Sequence, residues 1–232
     1  VEPDLEHKRS AFLQDRAAID QFWANLGVSA DDSDATKISL FCYPHAPIAH
    51  LFSVWENSPS KILCLIPEGV ARDQVEAFAG RTLHAGDRAT RGSLSLHILP
   101  FVPQEHYDQL LWLCDINFVR GEDSFVRAQW AGKPFIWHIY PQDDNLHHKK
   151  LRAFLQSYAT NFPHLSTLSL AWNDALAHHA DWQSVWNDFQ QECPKIKTET
   201  PNWTSQMRKN GDLCANLLSF TKVVLQNRQN LG

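Results

Sequence analysis

Hydrophobic and polar positions follow two alternating patterns between residues 37 and 140, and each pattern predicts one kind of element. Short apolar runs rich in β-branched and aromatic residues predict strands at 37–43, 61–66, 93–99, 112–118 and 134–139. Apolar residues at helical spacing lie between these runs and predict helices at 48–55, 70–79, 103–111 and 123–131. Strands that alternate with helices form βαβ units, so the pattern predicts a Rossmann-like α/β fold with a parallel sheet.

The two ends of the chain carry helical patterns without strands. Apolar residues recur near helical spacing at 4–26, and further helices are predicted at 145–160, 164–178, 181–191 and 203–228. We therefore predict an entry helix that serves as a linker at 1–30, a Rossmann-like core at 31–160, and a helical extension at 161–232 that packs on the core. In such sheets ligands bind at the carboxyl ends of the strands, so the loops after the strands are the places to search.

Composition narrows the class of protein. The 232 residues are 44% hydrophobic, which is enough to bury one large core or two small ones. No run of eighteen apolar residues occurs and the start, VEPDLEHKRS, is charged, so we expect neither a membrane-spanning helix nor a signal peptide. A net charge of −5 argues against nucleic acid as a partner. The five cysteines form no CxxC pair and three lie in apolar runs, which favours reduced, buried thiols and a cytoplasmic location.

The strongest local signal for chemistry is a strand, turn and helix around Arg120. Gly121 follows the predicted strand and allows a tight turn with close approach of a ligand to the backbone. Glu122, Asp123 and Ser124 then open a helix, whose first amides lack intrahelical partners and can hold a phosphate with help from the helix dipole. Ser124 adds a hydroxyl donor, and Arg120 can pair with a phosphate or a carboxylate.

Helix capping is the alternative explanation of the same turn, because acidic residues and serine are common where helices begin.

Other sites have less support. The chain contains neither GxGxxG nor GxxxxGK[ST], which weakens a dinucleotide or P-loop interpretation. His147 and His148 are adjacent on a predicted helix and lack the HExxH spacing of a zinc site, so a solvated helix face is favoured over a metal site.

Two motifs around this turn resemble known enzymes. The pattern G-E-D-S at 121–124, then R-A at 127–128 and A-G-x-P at 131–134, resembles the donor-binding signature of GT-B glycosyltransferases. The longer string NFVRGEDSFVRAQWAGKPFIWHIYPQDDNLHHKKLRAFL, at 117–155, resembles the bacterial protein-arginine rhamnosyltransferases of translation elongation factor P, the EarP family. This resemblance covers most of the chain. It implies that the Rossmann-like core binds dTDP-β-L-rhamnose, and that the sugar passes with inversion to an arginine of elongation factor P without a metal or other cofactor.

The resemblance also assigns residues to the donor site. Glu122 matches the family's functional glutamate and is the predicted catalytic residue. Contacts to the diphosphate and the sugar fall on other residues of the same turn, namely Arg120, Gly121, Asp123 and Ser124. Contacts to the base fall on Tyr43 and Gln104. Weaker candidates for substrate binding are Phe41, Tyr107, Tyr140 and Gln142.

Four of the candidates outside the turn have a structural alternative. Phe41 and Tyr43 point to the same face of a predicted strand, so core packing explains either one equally well. Tyr140 is also consistent with burial, and Gln104 with capping of the helix that follows it.

One large part of the family pattern is missing. The family's N-terminal domain has a Gly-rich loop and an aspartate thought to act as general base, and neither has a match here. Asp31, Asp32 and Asp34 cannot be matched to that aspartate. An arginine guanidinium has a pKa above ~12, so attack needs a carboxylate that orients it and takes a proton. Glu122 cannot fill both carboxylate roles. We therefore expect this chain to be the donor domain alone, with little or no turnover.

Two other functions stay open on the sequence alone. A GT-B donor domain for another nucleotide sugar, such as a UDP-sugar, would use the same turn. A non-enzymatic module would instead bind protein through the helical C-terminus. Its apolar anchors would be four tryptophans that equally suit packing on the sheet: Trp172, Trp182, Trp186 and Trp203.

Overall fold

A computed structural model describes residues 4–176, 179–209 and 211–229. Its strands are β1 Thr36–Leu40, β2 Ile62–Pro67, β3 Arg88–Arg91, β4 Leu94–Leu99, β5 Ile116–Arg120 and β6 Phe135–His138. They form one sheet in the order β3-β4-β2-β1-β5-β6. All neighbours pair in parallel except β3, which is antiparallel to β4 at the edge. The predicted α/β fold is confirmed, with the correction that the sheet is mixed.

The helices of the described residues cover both faces of this sheet. They are α1 Leu5–Gln14, α2 Arg16–Asn25, α3 Ile48–Glu56, α4 Arg72–Ala79, α5 Gln104–Leu113, α6 Asp123–Ala131, α7 Leu146–Tyr158, α8 Pro163–Trp172, α9 Trp182–Lys209 and α10 Leu213–Gln229. Successive side chains of a strand point to opposite faces. In β2, Ile62 and Cys64 accordingly join one buried cluster, and Leu63 and Leu65 join another. A strand buried on both faces explains why its sequence is continuously apolar.

The order of the strands places a topological switch between β1 and β5. From β1 the chain moves outward through β2 and β4, and it then returns to add β5 and β6 on the other side. The connections that leave β1 and β5 therefore diverge, which opens a crevice at their carboxyl ends.

The predicted strand at 112–118 is wrong in its first half. Helix α5 continues through Leu113 and includes Trp112, and the amide of Cys114 still donates to the carbonyl of Leu110. The strand begins at Ile116. The apolar run spans the helix end and the strand, and periodicity does not separate two buried elements that follow each other directly.

The predicted helix boundaries are also wrong at both ends of the chain. The helix predicted at 4–26 is two helices, because the Asp15 carboxylate accepts the Ala18 amide and starts a new one. The helix predicted at 164–178 ends at Trp172, and residues 177–178 lie outside the described part of the chain. The helices predicted at 181–191 and 203–228 are replaced by α9, which continues through Pro194 and Pro201, and by α10.

The tryptophans of the helical extension belong to the core. Trp172 and Trp186 are buried, and Trp182 and Trp203 pack against the same cluster. Trp172 and Trp186 are therefore not available as anchors for a partner. Within the described part of the helical extension, the exposed large apolar side chains lie on α10, and they are Leu213, Leu217, Leu218 and Phe220. Within the described residues, the helices are too short or too polar to cross a membrane. The division at residues 30 and 160 stays a prediction.

Candidate functional site

A cleft of about 770 Å³ lies at the carboxyl ends of β1 and β5, where the fold predicts a ligand site. Four segments line it: residues 41–44 after β1, 67–71 after β2, 99–110 after β4, and the turn 120–124 after β5. Most of the predicted site residues meet here. They are Phe41, Tyr43, Gln104, Tyr107, Arg120, Gly121, Glu122, Asp123 and Ser124.

Gly121 shapes the turn that enters α6. Its φ of +63° is in the left-handed region, and a Cβ at this position would lie 3.2 Å from the Tyr43 hydroxyl oxygen. Ser124 is buried, and its hydroxyl bonds back across the turn: it accepts the Arg120 amide at 3.1 Å and donates to the Arg120 carbonyl. The Gly121 carbonyl accepts the Trp137 indole N–H at 2.7 Å. These bonds hold the start of α6 against the cleft before any ligand arrives.

Arg120 is the cation of the cleft. Its guanidinium carbon lies 4.1 Å from the centre of the Phe41 ring and 5.1 Å from the centre of the Tyr43 ring. One of its nitrogens donates to the Cys42 carbonyl at 3.0 Å. The two rings and the carbonyl hold the planar group in one orientation beside the first turn of α6. Core packing and ligand binding are thus not exclusive for Phe41 and Tyr43, because both rings support Arg120 and both line the cleft.

Glu122 and Asp123 differ in how their carboxylates are used. Glu122 is exposed, makes no capping hydrogen bond to α6, and has no ion pair within the described residues. The capping alternative therefore does not account for it. The Asp123 carboxylate is exposed but accepts from Arg127 at 2.9 Å, and Arg127 also reaches the buried Asp108 at 2.8 Å. Glu122 is consequently the freer of the two carboxylates at the mouth of α6.

The opposite end of the cleft is aromatic. Gln104 is the first residue of α5 and lines the cleft together with Tyr107. The Tyr107 hydroxyl is buried, and burial raises its pKa. Phe101 is 95% exposed and lines the same wall. An exposed ring beside an amide suits a planar base, which stacks on the ring and takes hydrogen bonds from the amide.

Two weaker candidates lie outside the lining of the cleft. Tyr140 is 62% exposed and packs edge-on against Tyr43, with ring centres 5.6 Å apart. Burial, the alternative given for Tyr140, is therefore wrong. Gln142 is further along the chain, and its backbone meets the His147 ring at 3.1 Å. Tyr140 stands at the rim beside Tyr43, whereas Gln142 does not join the group.

Sequence reasoning missed Phe101 and the loop after β2. Phe101 lies in the string PFVP directly after β4, and an aromatic residue between two prolines behind a strand was the available signal. In the loop after β2, Ala71 has a φ of +47°, which is rare for a residue with a side chain and tends to occur at functional sites. Glu68 in this loop is paired with His84 at 3.2 Å.

Cysteine chemistry has no support in the cleft. Burial raises the pKa of the Cys42 thiol to about 12, so the thiol stays protonated at neutral pH. Cys64, Cys114 and Cys193 are buried as well. No group of three His, Cys, Asp or Glu side chains suited to a metal ion occurs among the described residues.

Known proteins match this chain over nearly its whole length. Residues 1–222 match the model of a family described as elongation-factor P (EF-P) rhamnosyltransferase EarP. A protein-arginine rhamnosyltransferase of Pseudomonas aeruginosa is 37% identical over 94% of this chain and 58% of its own length. One of Shewanella oneidensis is 34% identical over 95% of this chain and 58% of its own length.

A solved structure gives the same result. It comes from work on the structural basis for EarP-mediated arginine glycosylation of translation elongation factor EF-P. It matches with a TM-score of 0.84 and 34% identity, and the match covers 96% of this chain and 71% of that one. The present chain spans 58% of the length of the two rhamnosyltransferases named above. The resemblance inferred from the turn at Gly121 is confirmed, and the chain belongs to the EarP family of elongation-factor P rhamnosyltransferases.

Proposed function

We propose that this chain is the donor-binding part of a protein-arginine rhamnosyltransferase and that its cleft takes dTDP-β-L-rhamnose. The observation that carries the proposal is the turn at Gly121, which aims the start of α6 at the cleft beside the oriented guanidinium of Arg120. A helix N-terminus and an arginine are complementary to a diphosphate.

The donor extends along the cleft in this proposal. The thymine stacks near Phe101 and takes hydrogen bonds from Gln104, because this end offers an exposed ring and an amide. The diphosphate meets the first amides of α6 and Arg120. The rhamnose then lies toward Glu122 and Tyr140 at the rim. The helix end and Arg120 supply the positive charge that the departing diphosphate needs, so we propose that transfer requires no metal.

The proposed reaction joins the rhamnose to an arginine of elongation factor P with inversion. A guanidinium nitrogen attacks the anomeric carbon, the bond from that carbon to the diphosphate oxygen breaks, and dTDP leaves. The attacking nitrogen loses a proton, which requires a carboxylate base. Glu122 is the freest carboxylate at the cleft, and it is placed to orient the donor or the guanidinium. Since one carboxylate does not orient and deprotonate at once, we propose that this chain alone binds the donor and turns over little or nothing.

Four free, buried thiols support a reducing compartment, so the same proposal places the protein in the bacterial cytoplasm.

Calorimetric titration tests the donor. We expect dTDP-rhamnose to bind more tightly than UDP-GlcNAc, and preference for the uridine ligand would instead identify a donor domain for another nucleotide sugar. Glu122→Ala combined with Ser124→Ala should weaken dTDP-rhamnose binding by about tenfold or more, because the first removes a charge-assisted hydrogen bond of ~1.5–3 kcal/mol and the second removes the hydroxyl that holds the turn before α6. Glu105→Ala is the matched control, because Glu105 is an acid in the first turn of the neighbouring helix α5 and does not line the cleft. Unchanged affinity in the double variant would overturn the donor site.

A further inference from the structure

A second cavity, of about 760 Å³, lies across the loop 43–47 from the cleft. It is bordered by the end of β6, the starts of α3 and α7, and the segment that follows α8. Asp174 is the only acidic residue among the described residues that line it. Six lining residues are histidines, namely His45, His50, His138, His147, His148 and His179. We call it the histidine cavity.

Two of these imidazoles, those of His45 and His50, keep both ring nitrogens unused. His45 stacks on Tyr43, with ring centres 5.8 Å apart, and lies 4.8 Å from His138. His50 stacks on Trp182 at 5.5 Å. Within the described part of the chain, neither the His45 nor the His50 imidazole makes a hydrogen bond, and both residues are exposed. Their rings are therefore held by stacking while their N–H groups stay available.

The wall of the histidine cavity contains buried donors that the protein does not satisfy. His138 is 2% exposed, and its Nδ1 accepts the Tyr43 amide at 3.2 Å, so the proton of the neutral ring is on Nε2. No described residue accepts from that Nε2. The Trp172 indole N–H is also buried and without a partner among the described residues. An unpaired donor on a buried ring is costly, and a ligand that brings an acceptor to the His138 Nε2 removes that cost.

The start of α7 adds positive potential at the same place. Asn145 precedes the helix with a left-handed φ of 54° and makes no side-chain capping bond. The first turn carries no acidic residue. Asn145, His147 and His148 all line the cavity, so the uncapped end of a 13-residue helix borders it. The expected solvated helix face at His147 and His148 is thus partly buried and faces this space.

We propose that the histidine cavity binds an oxyanion, carboxylate or phosphate, through the imidazole N–H groups and the start of α7. Donors predominate over acids in its lining, and its volume is in the range of small-molecule sites. This site is separate from the nucleotide-sugar cleft and goes beyond the proposed function. Two kinds of ligand supply such an anion, a peptide with a carboxylate and a small molecule with a phosphate. A site for the first should bind acetate more tightly than inorganic phosphate, and a site for the second should show the reverse order.

Imidazole NMR spectra test the proposal on the intact chain. His50 stacks on Trp182, outside the lining of the cleft, so its imidazole signals report on the cavity, whereas His45 and His138 also contact Tyr43 of the cleft. We expect saturable shifts of His45, His50 and His138 on titration with inorganic phosphate or with acetate. Tighter binding of acetate identifies a carboxylate ligand, and tighter binding of phosphate identifies a phosphate ligand. His164, at the opposite end of α8, is the internal control and should not shift.

Variants complete the test. His45→Ala combined with His50→Ala should weaken anion binding by about tenfold or more, as expected for lost charge-assisted hydrogen bonds. His164→Ala should leave the affinity unchanged. His45 and His50 are exposed, so the double variant should fold. The proposal is overturned if neither anion gives a saturable shift, or if His164 shifts equally, which would mean an adventitious ion only. Titration with dTDP, followed by calorimetry, checks the cleft separately, so failure of one site does not imply failure of the other.

Discussion

Gly121 lies so close to Tyr43 that a Cβ added to it would be 3.2 Å from the Tyr43 hydroxyl oxygen, a distance at which the ring would have to shift slightly. The segment after β1 and the turn after β5 therefore meet at Gly121, a residue without a side chain. The contact places the Tyr43 ring beside Arg120 and keeps the path to the start of α6 open. Gly121 has two separate roles, one in its left-handed φ and one in this close approach.

Gly121→Ala should separate donor binding from stability. The left-handed φ costs about 1–2 kcal/mol for a residue with a side chain, and the new Cβ also displaces Tyr43. Gly80→Ala is the matched control, because Gly80 has a φ of +69° and nothing within 4 Å of its Cβ position. We expect both variants to lose similar stability in urea denaturation, and only Gly121→Ala to lose dTDP affinity in calorimetry.

Tyr43→Phe added to Gly121→Ala removes the crowding atom and leaves the φ cost in place. Partial recovery of dTDP affinity is expected in the double variant. If Gly121→Ala binds dTDP as well as the unmodified chain does, the turn does not hold the diphosphate.

Arg120 should contribute through its charge and through its planar shape. Arg120→Met removes the charge, and Arg120→Lys keeps it but loses the stacking on Phe41 and the fixed bond to the Cys42 carbonyl. We expect dTDP affinity to fall most in Arg120→Met, by ~1.5–3 kcal/mol, with Arg120→Lys intermediate. Thymidine, which has no phosphate, is the control ligand. An equal loss for thymidine and dTDP would show that Arg120 supports the cleft but does not contact the diphosphate.

His138 should make stability depend on pH. Burial, with the nearby His45 and Arg120, lowers its pKa from 6.5 to about 3. As the pH falls below 6.5 the unfolded chain takes up the proton first, so the free energy of unfolding should decrease down to about pH 3. His138→Asn keeps an acceptor for the Tyr43 amide and does not titrate, so its decline in urea denaturation should be shallower. A remaining slope is expected from His97, whose pKa burial also lowers.

His138→Gln is the complementary variant. The glutamine side-chain amide reaches the Nε2 position and leaves the backbone N–H of Tyr43 without an acceptor. The His138→Gln variant should therefore be less stable than His138→Asn and bind dTDP more weakly. Equal stability slopes for His138→Asn and the unmodified chain would contradict the assigned titration.

The turn of the donor site was predictable because its information is local. A strand, Gly121, an acidic pair and Ser124 are consecutive, and the helix predicted at 123–131 has the bounds of α6. The α/β fold followed from the alternation of short apolar runs with helical patterns for the same reason. The end of α5 was not predictable, since Trp112 is apolar and buried in either element and only the bonds of the Cys114 amide decide between them.

What the sequence did not predict depends on residues far apart in the chain. The histidine cavity combines His45, His138 and His147, which come from a loop, the end of strand β6 and the start of α7. The β3 strand is short and polar, and Arg88 within it is anchored by a carboxylate 56 residues away. No periodic pattern indicates such contacts, because they arise from the order of strands in the sheet.

That carboxylate, Asp32, gives the last prediction. Two nitrogens of Arg88 donate to it at 3.0 and 2.8 Å, and this pairing lowers the pKa of Asp32 to about 2. A depressed folded-state pKa gives stability that is present above about pH 4 and is lost as the pH falls toward 2. Asp32→Asn should therefore lower the free energy of unfolding at neutral pH by about 1–2 kcal/mol and reduce its loss below pH 4. The exposed Asp31→Asn is the control, and equal acid sensitivity of Asp32→Asn and Asp31→Asn would refute the pairing.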